Sequence, residues 1–220
     1  MNLTLESHGA VRLPGAAAPF VSQLEAALAA LPPDQAGVRL CGVLGLASLL
    51  SGEALGSYAA RILGQTSKPV RAILFDKSAA TNWTLAWHQD RTIAVRQRFD
   101  VAGFGPWSIK SGMPHVEPPF DIIERMVTIR IHLDPVDADN APLAIAVGSH
   151  QLGRIPESAI NTTVAQCETM LCLAERGDIW LYATPILHAS GAAVKPQHRR
   201  VLQVDFSSDT LPEPLNWLGI

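Results

Sequence analysis

From residue 126 to 133 every second residue is apolar: Val127, Ile129, Ile131 and Leu133 alternate with Thr128, Arg130 and His132. Side chains of an extended chain alternate between faces, so this stretch predicts a strand with one apolar and one polar face. Shorter apolar runs at 70–75, 83–88, 143–147, 179–182 and 201–206 fit further strands. Turn signals separate them. Asp137, Asp139 and Asn140 precede 143–147, as in a hairpin, and Gly177-Asp178 precedes 179–182. Many short strands punctuated by turns argue for a sandwich or barrel.

The first third has another rhythm. Val21, Leu24, Leu28 and Leu31 recur at helical spacing until Pro32-Pro33, and two more helical stretches run through 43–50 and 55–62, the last ending at Gly64. The expected fold is therefore mainly β with helices (α+β): a helical part over 1–65 packed outside a β core over 70–206. At 220 residues the chain fits a single domain. The segment 100–121 is rich in Pro and Gly without periodicity, as in a functional lid.

Composition excludes several function classes. Apolar residues make up 48% of the chain and charged residues 17%, which is the profile of a core-forming protein rather than a disordered one. Lys plus Arg number 17 against 20 Asp plus Glu, so no basic surplus drives nucleic-acid binding. The three cysteines (Cys41, Cys167 and Cys172) form no Cys-x-x-Cys pair, which favours a reducing compartment. No basic-then-apolar leader is visible, and the longest apolar run, near 41–50, is too short to span a bilayer. These features predict a soluble cytoplasmic protein acting on a small molecule, without a membrane or nucleic-acid partner.

Trp87-His88-Gln89-Asp90 places an imidazole and a carboxylate two residues apart, on one face of an extended chain. A third ligand is available from His188, in Ile186-Leu187-His188-Ala189-Ser190-Gly191. Two His and one carboxylate make the facial triad of non-haem Fe(II) oxygenases, which leaves positions for co-substrate and O2. Arg199 starts a strand eleven residues later, and its fork could grip the distal carboxylate of 2-oxoglutarate. Arg200 is adjacent and takes that place if the register slips by one. On the polar face of 126–133, Arg130 and His132 are candidates for contact with 2-oxoglutarate or substrate. Trp83, Trp87 and Trp107 could wall a substrate pocket or pack in the core. Lys77 ends a strand upstream of the first ligands, as a substrate contact or a solvated strand end.

In this order the segments resemble the phytanoyl-CoA dioxygenase family of Fe(II)/2-oxoglutarate oxygenases over roughly 70–206. The resemblance rests on Asn82-Trp83 leading to His88-Gln89-Asp90, 139–143 leading to Gly148-Ser149-His150, Arg176-Gly177-Asp178, and 187–190 leading to Arg199-Arg200. It implies a double-stranded β-helix (jelly roll), with His88, Asp90 and His188 on iron, Arg199 on the 2-oxoglutarate carboxylate, and Ser190 in support. Gln89 either contacts co-substrate or faces away, and His150 serves as a structural hydrogen-bonding group. Ala141 and Val147 stand where family members often carry Gly and Pro. The implied reaction consumes 2-oxoglutarate and O2, releases succinate and CO2, and oxidises a C–H bond; a carboxylate ligand at Asp90 favours hydroxylation. The alternatives are a non-catalytic jelly-roll binding module and a cupin-like metalloenzyme that uses no keto acid.

Overall fold

The computed structural model describes residues 3–32 and 35–220; Pro33, read with Pro32 as a helix stop, lies outside them. Its thirteen strands are β1 (Ala10–Leu13), β2 (Gly37–Leu40), β3 (Lys68–Lys77), β4 (Leu85–His88), β5 (Ile93–Ala94), β6 (Trp107–Lys110), β7 (Met113–Val116), β8 (Val127–His132), β9 (Leu143–Ala146), β10 (Thr169–Cys172), β11 (Ile179–Ala183), β12 (His188–Ser190) and β13 (Arg199–Ser207). The helices are α1 (Leu5–His8), α2 (Val21–Leu28), α3 (Leu46–Leu49), α4 (Ser57–Leu63), α5 (Phe120–Glu124) and α6 (Ile160–Gln166). A major sheet runs β1-β11-β8-β13-β3-β2, a minor sheet β10-β9-β12-β4, and a small one β5-β7-β6. The pairings are antiparallel. The fold is a jelly roll of open sheets.

The alternation at 126–133 survives as β8, but all six of its residues are buried, because both faces of the major sheet are covered. On the outer face, Leu74, Ile129, Ile131, Leu181, Leu202 and Val204 join one core with Val21, Leu24 and Leu28 of α2 and Ala59 of α4. Each fully buried aliphatic side chain here contributes about 1.5–3 kcal/mol. The other face carries the polar set. Cross-strand register aligns Arg39, Ile73, Gln203, Arg130 and Trp180 in one row, and Arg71, Asp205, Thr128 and Tyr182 in the next. Residues opposite one another in a ladder point the same way, so these rows face the minor sheet.

Three expectations change. The first 65 residues are not wholly helical, since β1 and β2 form the two edges of the major sheet. Each is only four residues long, too short for periodicity to register. Residues 126–133 and 143–147 form no hairpin: β8 lies in the major sheet and β9 in the minor one. Both flanks of β8 are taken by β11 and β13, so the Asp137 turn carries the chain across to the other sheet. The segment 100–121 is not a structureless lid, because β6 and β7 pair within it and continue onto β5.

Two glycines explain local shape. Gly64 ends α4 with φ of 89°, its N–H bonded to the Ala60 carbonyl. Gly177 has φ of 89° and lies against Ala18, where an added Cβ would come within 2.9 Å of its Cα. That close approach lets the turn leading into α2 seat on the turn before β11, where the Ala17 N–H donates to the Gly177 carbonyl at 2.8 Å. No described helix is long and apolar enough to cross a membrane.

Candidate metal and co-substrate site

β4 and β12 are neighbours in the minor sheet, with His88 directly opposite His188 and their ring centroids 4.2 Å apart. Asp90 follows just past the end of β4. One ligand atom from each of His88, Asp90 and His188 lies within 4.8 Å of the others. The histidines are held alike. Nδ1 of His88 is 2.8 Å from the Ala86 carbonyl, and Nδ1 of His188 is 2.9 Å from the Ile186 carbonyl. A carbonyl only accepts, so each Nδ1 carries the proton and each Nε2 keeps its lone pair for a metal. Burial, and then the neighbouring His88, pushes the His188 pKa down to about 4, which keeps it neutral near pH 7.

Burial alone would raise the Asp90 pKa, yet Arg71 and the two imidazoles hold it below the usual carboxylate range. Arg71 donates from Nη2 to Asp90 at 3.2 Å, from Nη1 to the Thr92 carbonyl at 3.3 Å, and from Nε to Asp205. Asp205 also accepts from Thr128 Oγ1 at 2.9 Å. The Asp90 carboxylate is thus positioned by an arginine that crosses from the major sheet.

These groups open into a cavity of about 390 Å³ between the sheets, a size suited to small molecules. Arg199 lines it and is 2% exposed, whereas Arg200 bonds Asp134 and Glu25 on the other face, so the register is the one that turns Arg199 inward. Arg199 Nη1 donates to the Ala141 carbonyl at 2.7 Å, and its Nε is buried without a partner. Burial, and then Arg130, push its pKa down to about 9. A guanidinium does not deprotonate in a protein, so that depression amounts to an unmet demand for an anion. Ser190 donates to the same Ala141 carbonyl at 3.1 Å. Arg130 also lines the cavity; its Nη1 donates to Gln203 at 2.7 Å and its Nε has no partner. The donor set fits Fe(II), and the buried, unpaired arginines fit a dicarboxylate keto acid beside it.

Ala141 has φ of 52°, in the left-handed region that favours Gly. The strained residue presents the carbonyl that both Arg199 and Ser190 bind.

Other sequence candidates fall elsewhere. Lys77 is not a solvated strand end. It is 1% exposed at the cavity wall, opposite Arg199. Its ammonium donates to the carbonyls of Trp83 and Gly191, each at 2.8 Å, and to Ser190 Oγ at 3.0 Å. All three of its protons are spent, so it positions Trp83 and Ser190 rather than reaching a substrate. Gln89 is likewise occupied: its Nε2 donates to Gly153 and Pro185 and its Oε1 accepts from the Ile155 N–H, leaving no donor for co-substrate. His132 is buried but outside the cavity lining, because Val201 stands between it and Phe75 in their cross-strand row. Trp107 sits in the small sheet against the core around Val116 and Ile123, also outside the cavity. Of the other tryptophans, Trp83 lines the cavity and Trp87 packs beside Ile155 and Leu187. His150 bonds the Glu6 carbonyl at 3.1 Å, as a structural group.

Sequence reasoning passed over Arg71, Asp205, Arg39 and Lys110. The first two carried a signal, since each is a charged residue inside a mostly apolar strand core. Arg39 and Lys110 carried none, because neither β2 nor β6 is legible as a strand.

Comparison with known proteins supports this architecture. Residues 47–201 match the family model described as Phytanoyl-CoA dioxygenase (PhyH). No curated protein matches the chain. Among solved structures, EctD from S. alaskensis in its apoform aligns over 98% of this chain and 78% of its own, at 14% identity and a TM-score of 0.67. HygX from Streptomyces hygroscopicus, with nickel and 2-oxoglutarate bound, aligns over 92% and 84%, at 13% identity and 0.61. EvdMO1 aligns over 92% of this chain at 20% identity and 0.63, and this chain spans about half of it (48%). At these identities the likeness speaks for the fold, while the family match covers most of the chain. The chain belongs to the phytanoyl-CoA dioxygenase family.

Proposed function

We propose that the protein is an Fe(II)- and 2-oxoglutarate-dependent dioxygenase that hydroxylates a small organic molecule. The observation that carries this reading is the shared cavity: three metal-ligand atoms within 4.8 Å of one another and the buried, anion-deficient Arg199 open into one space. In this reading His88 and His188 bind Fe(II) through Nε2 and Asp90 binds through its carboxylate. Arg199 holds the distal carboxylate of 2-oxoglutarate, with Arg130 nearby and Ser190 supporting Arg199 through the Ala141 carbonyl that both bind. When bound, iron and keto acid together supply the activation of O2, for which the protein offers no organic group. Overall, 2-oxoglutarate, O2 and a C–H bond become succinate, CO2 and a C–OH group.

The chain's own part is positional. Backbone carbonyls fix the imidazole tautomers, Arg71 keeps Asp90 ionised, and the two sheets exclude water from the groups they bury. We read 1–220 as one oxygenase domain, because β1 and β2 complete the sheet that carries Arg71 and Arg199. Three free cysteines suit a reducing cytoplasm.

The test is anaerobic addition of Fe(II) and 2-oxoglutarate. A weak visible charge-transfer band is expected, absent in His88→Ala and needing at least tenfold more 2-oxoglutarate in Arg199→Met. No band from folded wild-type protein would sink the reading. Metal binding indifferent to 2-oxoglutarate would indicate the cupin-like alternative, and no metal binding a non-catalytic module. Hydroxylation itself is read as a product heavier by one oxygen atom.

A further inference from the structure

The cavity is far more basic than the chain. Seven Arg and Lys side chains line it against one carboxylate, Asp90, in a protein whose formal charge is −3. Some of these cations are already matched. Arg71 is spent on Asp90 and Asp205, and Arg91 on the Ile155 carbonyl and Glu157. Arg199 and Arg130 stand where the dianionic co-substrate is placed.

Lys77 has no acid partner, but its three protons go to the Trp83 and Gly191 carbonyls and Ser190 Oγ. Arg39 and Lys110 remain. Arg39 projects from edge strand β2 opposite Ile73, on the cavity side of the major sheet. It makes no ion pair or side-chain hydrogen bond among the described residues, and its Nε is buried without a partner. Lys110 reaches in from β6 of the small sheet, its ammonium bonded only to Thr92 Oγ1 at 3.0 Å, two residues beyond Asp90. Burial, and then the Arg71 charge, lower the Lys110 pKa; Asp90 opposes them and Arg39 adds to them. The one acid close to both cations, Asp90, is already bonded by Arg71, so Arg39 and Lys110 lose solvation without an ion pair of their own, and an anion would offset that penalty. A divalent metal, Asp90 and the co-substrate dianion together still leave them unmatched.

We infer that Arg39 and Lys110 dock an anionic oxygen group, a carboxylate or a phosphate, on the primary substrate. A guanidinium fork donates to such a group bidentately, and the ammonium adds a point charge from the small sheet. The substrate is thereby gripped beside Asp90, separately from Arg199 and Ser190. Substrate class is then set by the small sheet and the β2 edge rather than by the jelly-roll core. This inference rests on the oxygenase reading for the place of the co-substrate.

The test titrates the protein loaded anaerobically with Fe(II) and 2-oxoglutarate with benzoate, phenyl phosphate and benzamide. Calorimetry gives the Kd, and the charge-transfer band reports whether co-substrate stays bound. The two anions are expected to bind at least tenfold more tightly than the neutral amide while the band persists. Arg39→Met and Lys110→Met should each weaken the anions about tenfold and leave 2-oxoglutarate affinity within twofold. Arg39→Lys should recover part of the loss, which separates charge from misfolding. Equal affinity for acid and amide, anion affinity untouched by both Met variants, or no anion binding would overturn the inference. So would loss of the band on anion addition, or an equal fall in 2-oxoglutarate affinity, because both assign these cations to co-substrate. If the wild-type band never forms, the oxygenase reading fails; the same calorimetry on metal-free protein then judges Arg39 and Lys110 alone.

Discussion

Replacing Arg71 with Met removes the one cation shared by the buried Asp205 and the half-buried Asp90. The Arg71 side chain is 8% exposed, Asp205 1% and Asp90 19%, so water compensates little for its loss at Asp205. Breaking a buried ion pair from one side costs about 3–5 kcal/mol, because the remaining charge keeps its desolvation penalty. For a chain of this size that lowers Tm by about 6–20 °C. The Met side chain restores some packing, which favours the lower end of that range. Thermal and urea unfolding of Arg71→Met, Asp205→Asn and the double variant measures the coupling directly. Asp205→Asn leaves a neutral group that still accepts from Thr128, so in that background Arg71→Met should cost at least 1 kcal/mol less, about. Acid should narrow the single variant's deficit. A lone Asp205 has a folded pKa raised above its unfolded value, so its penalty is present above the carboxylate range and relieved as pH falls. A loss below about 1 kcal/mol in Arg71→Met, or the same loss with and without Asp205, would refute this electrostatic account.

Three further outcomes are expected. Ala141→Gly should raise stability by about 0.5–1 kcal/mol in urea unfolding, because Ala141 sits at φ of 52° and Gly pays no Cβ penalty there; an unchanged or lower midpoint would contradict it. Gln89→Leu orphans the Ile155 N–H and the carbonyls of Gly153 and Pro185. The expected loss is about 2–4 kcal/mol by thermal unfolding, with 2-oxoglutarate affinity unchanged in protein that remains folded. Glu25 of α2 is hydrogen-bonded by Arg176 and Arg200, and the Arg176 bond foremost brings its pKa down to about 2 from 4.5. Because the folded value is depressed, its stabilisation is complete above pH 4.5 and fades as pH falls towards 2. The pair is partly exposed, so Glu25→Gln should cost only about 1 kcal/mol at neutral pH, and the gap to wild type should close in that acid window. A gap that stayed constant across the window would assign the loss to packing instead.

Local pattern made much of the molecule legible. The strand at 126–133, the His-x-Asp spacing and the Arg199–Arg200 alternation are short-range periodicities, and a strand's faces follow from its own residues. The six strands read from sequence all exist, and His88, Asp90, His188 and Arg199 meet at one cavity. Short-range pattern therefore settles which side chains share a face and which residue types could hold a metal. What those faces meet depends on long-range pairing. Lys77 looks like a strand end in sequence, yet β13 and the Trp83 segment bury it completely. Conversely, Trp107 and His132 have the right chemistry but stand behind other strands. Arg39 and Lys110 come from a four-residue edge strand and a small hairpin, and only the order of strands across the sheets brings them beside Asp90. Sheet order depends on pairings between residues far apart in the chain, whose free energy comes from burying both faces at once, and no local window contains that term.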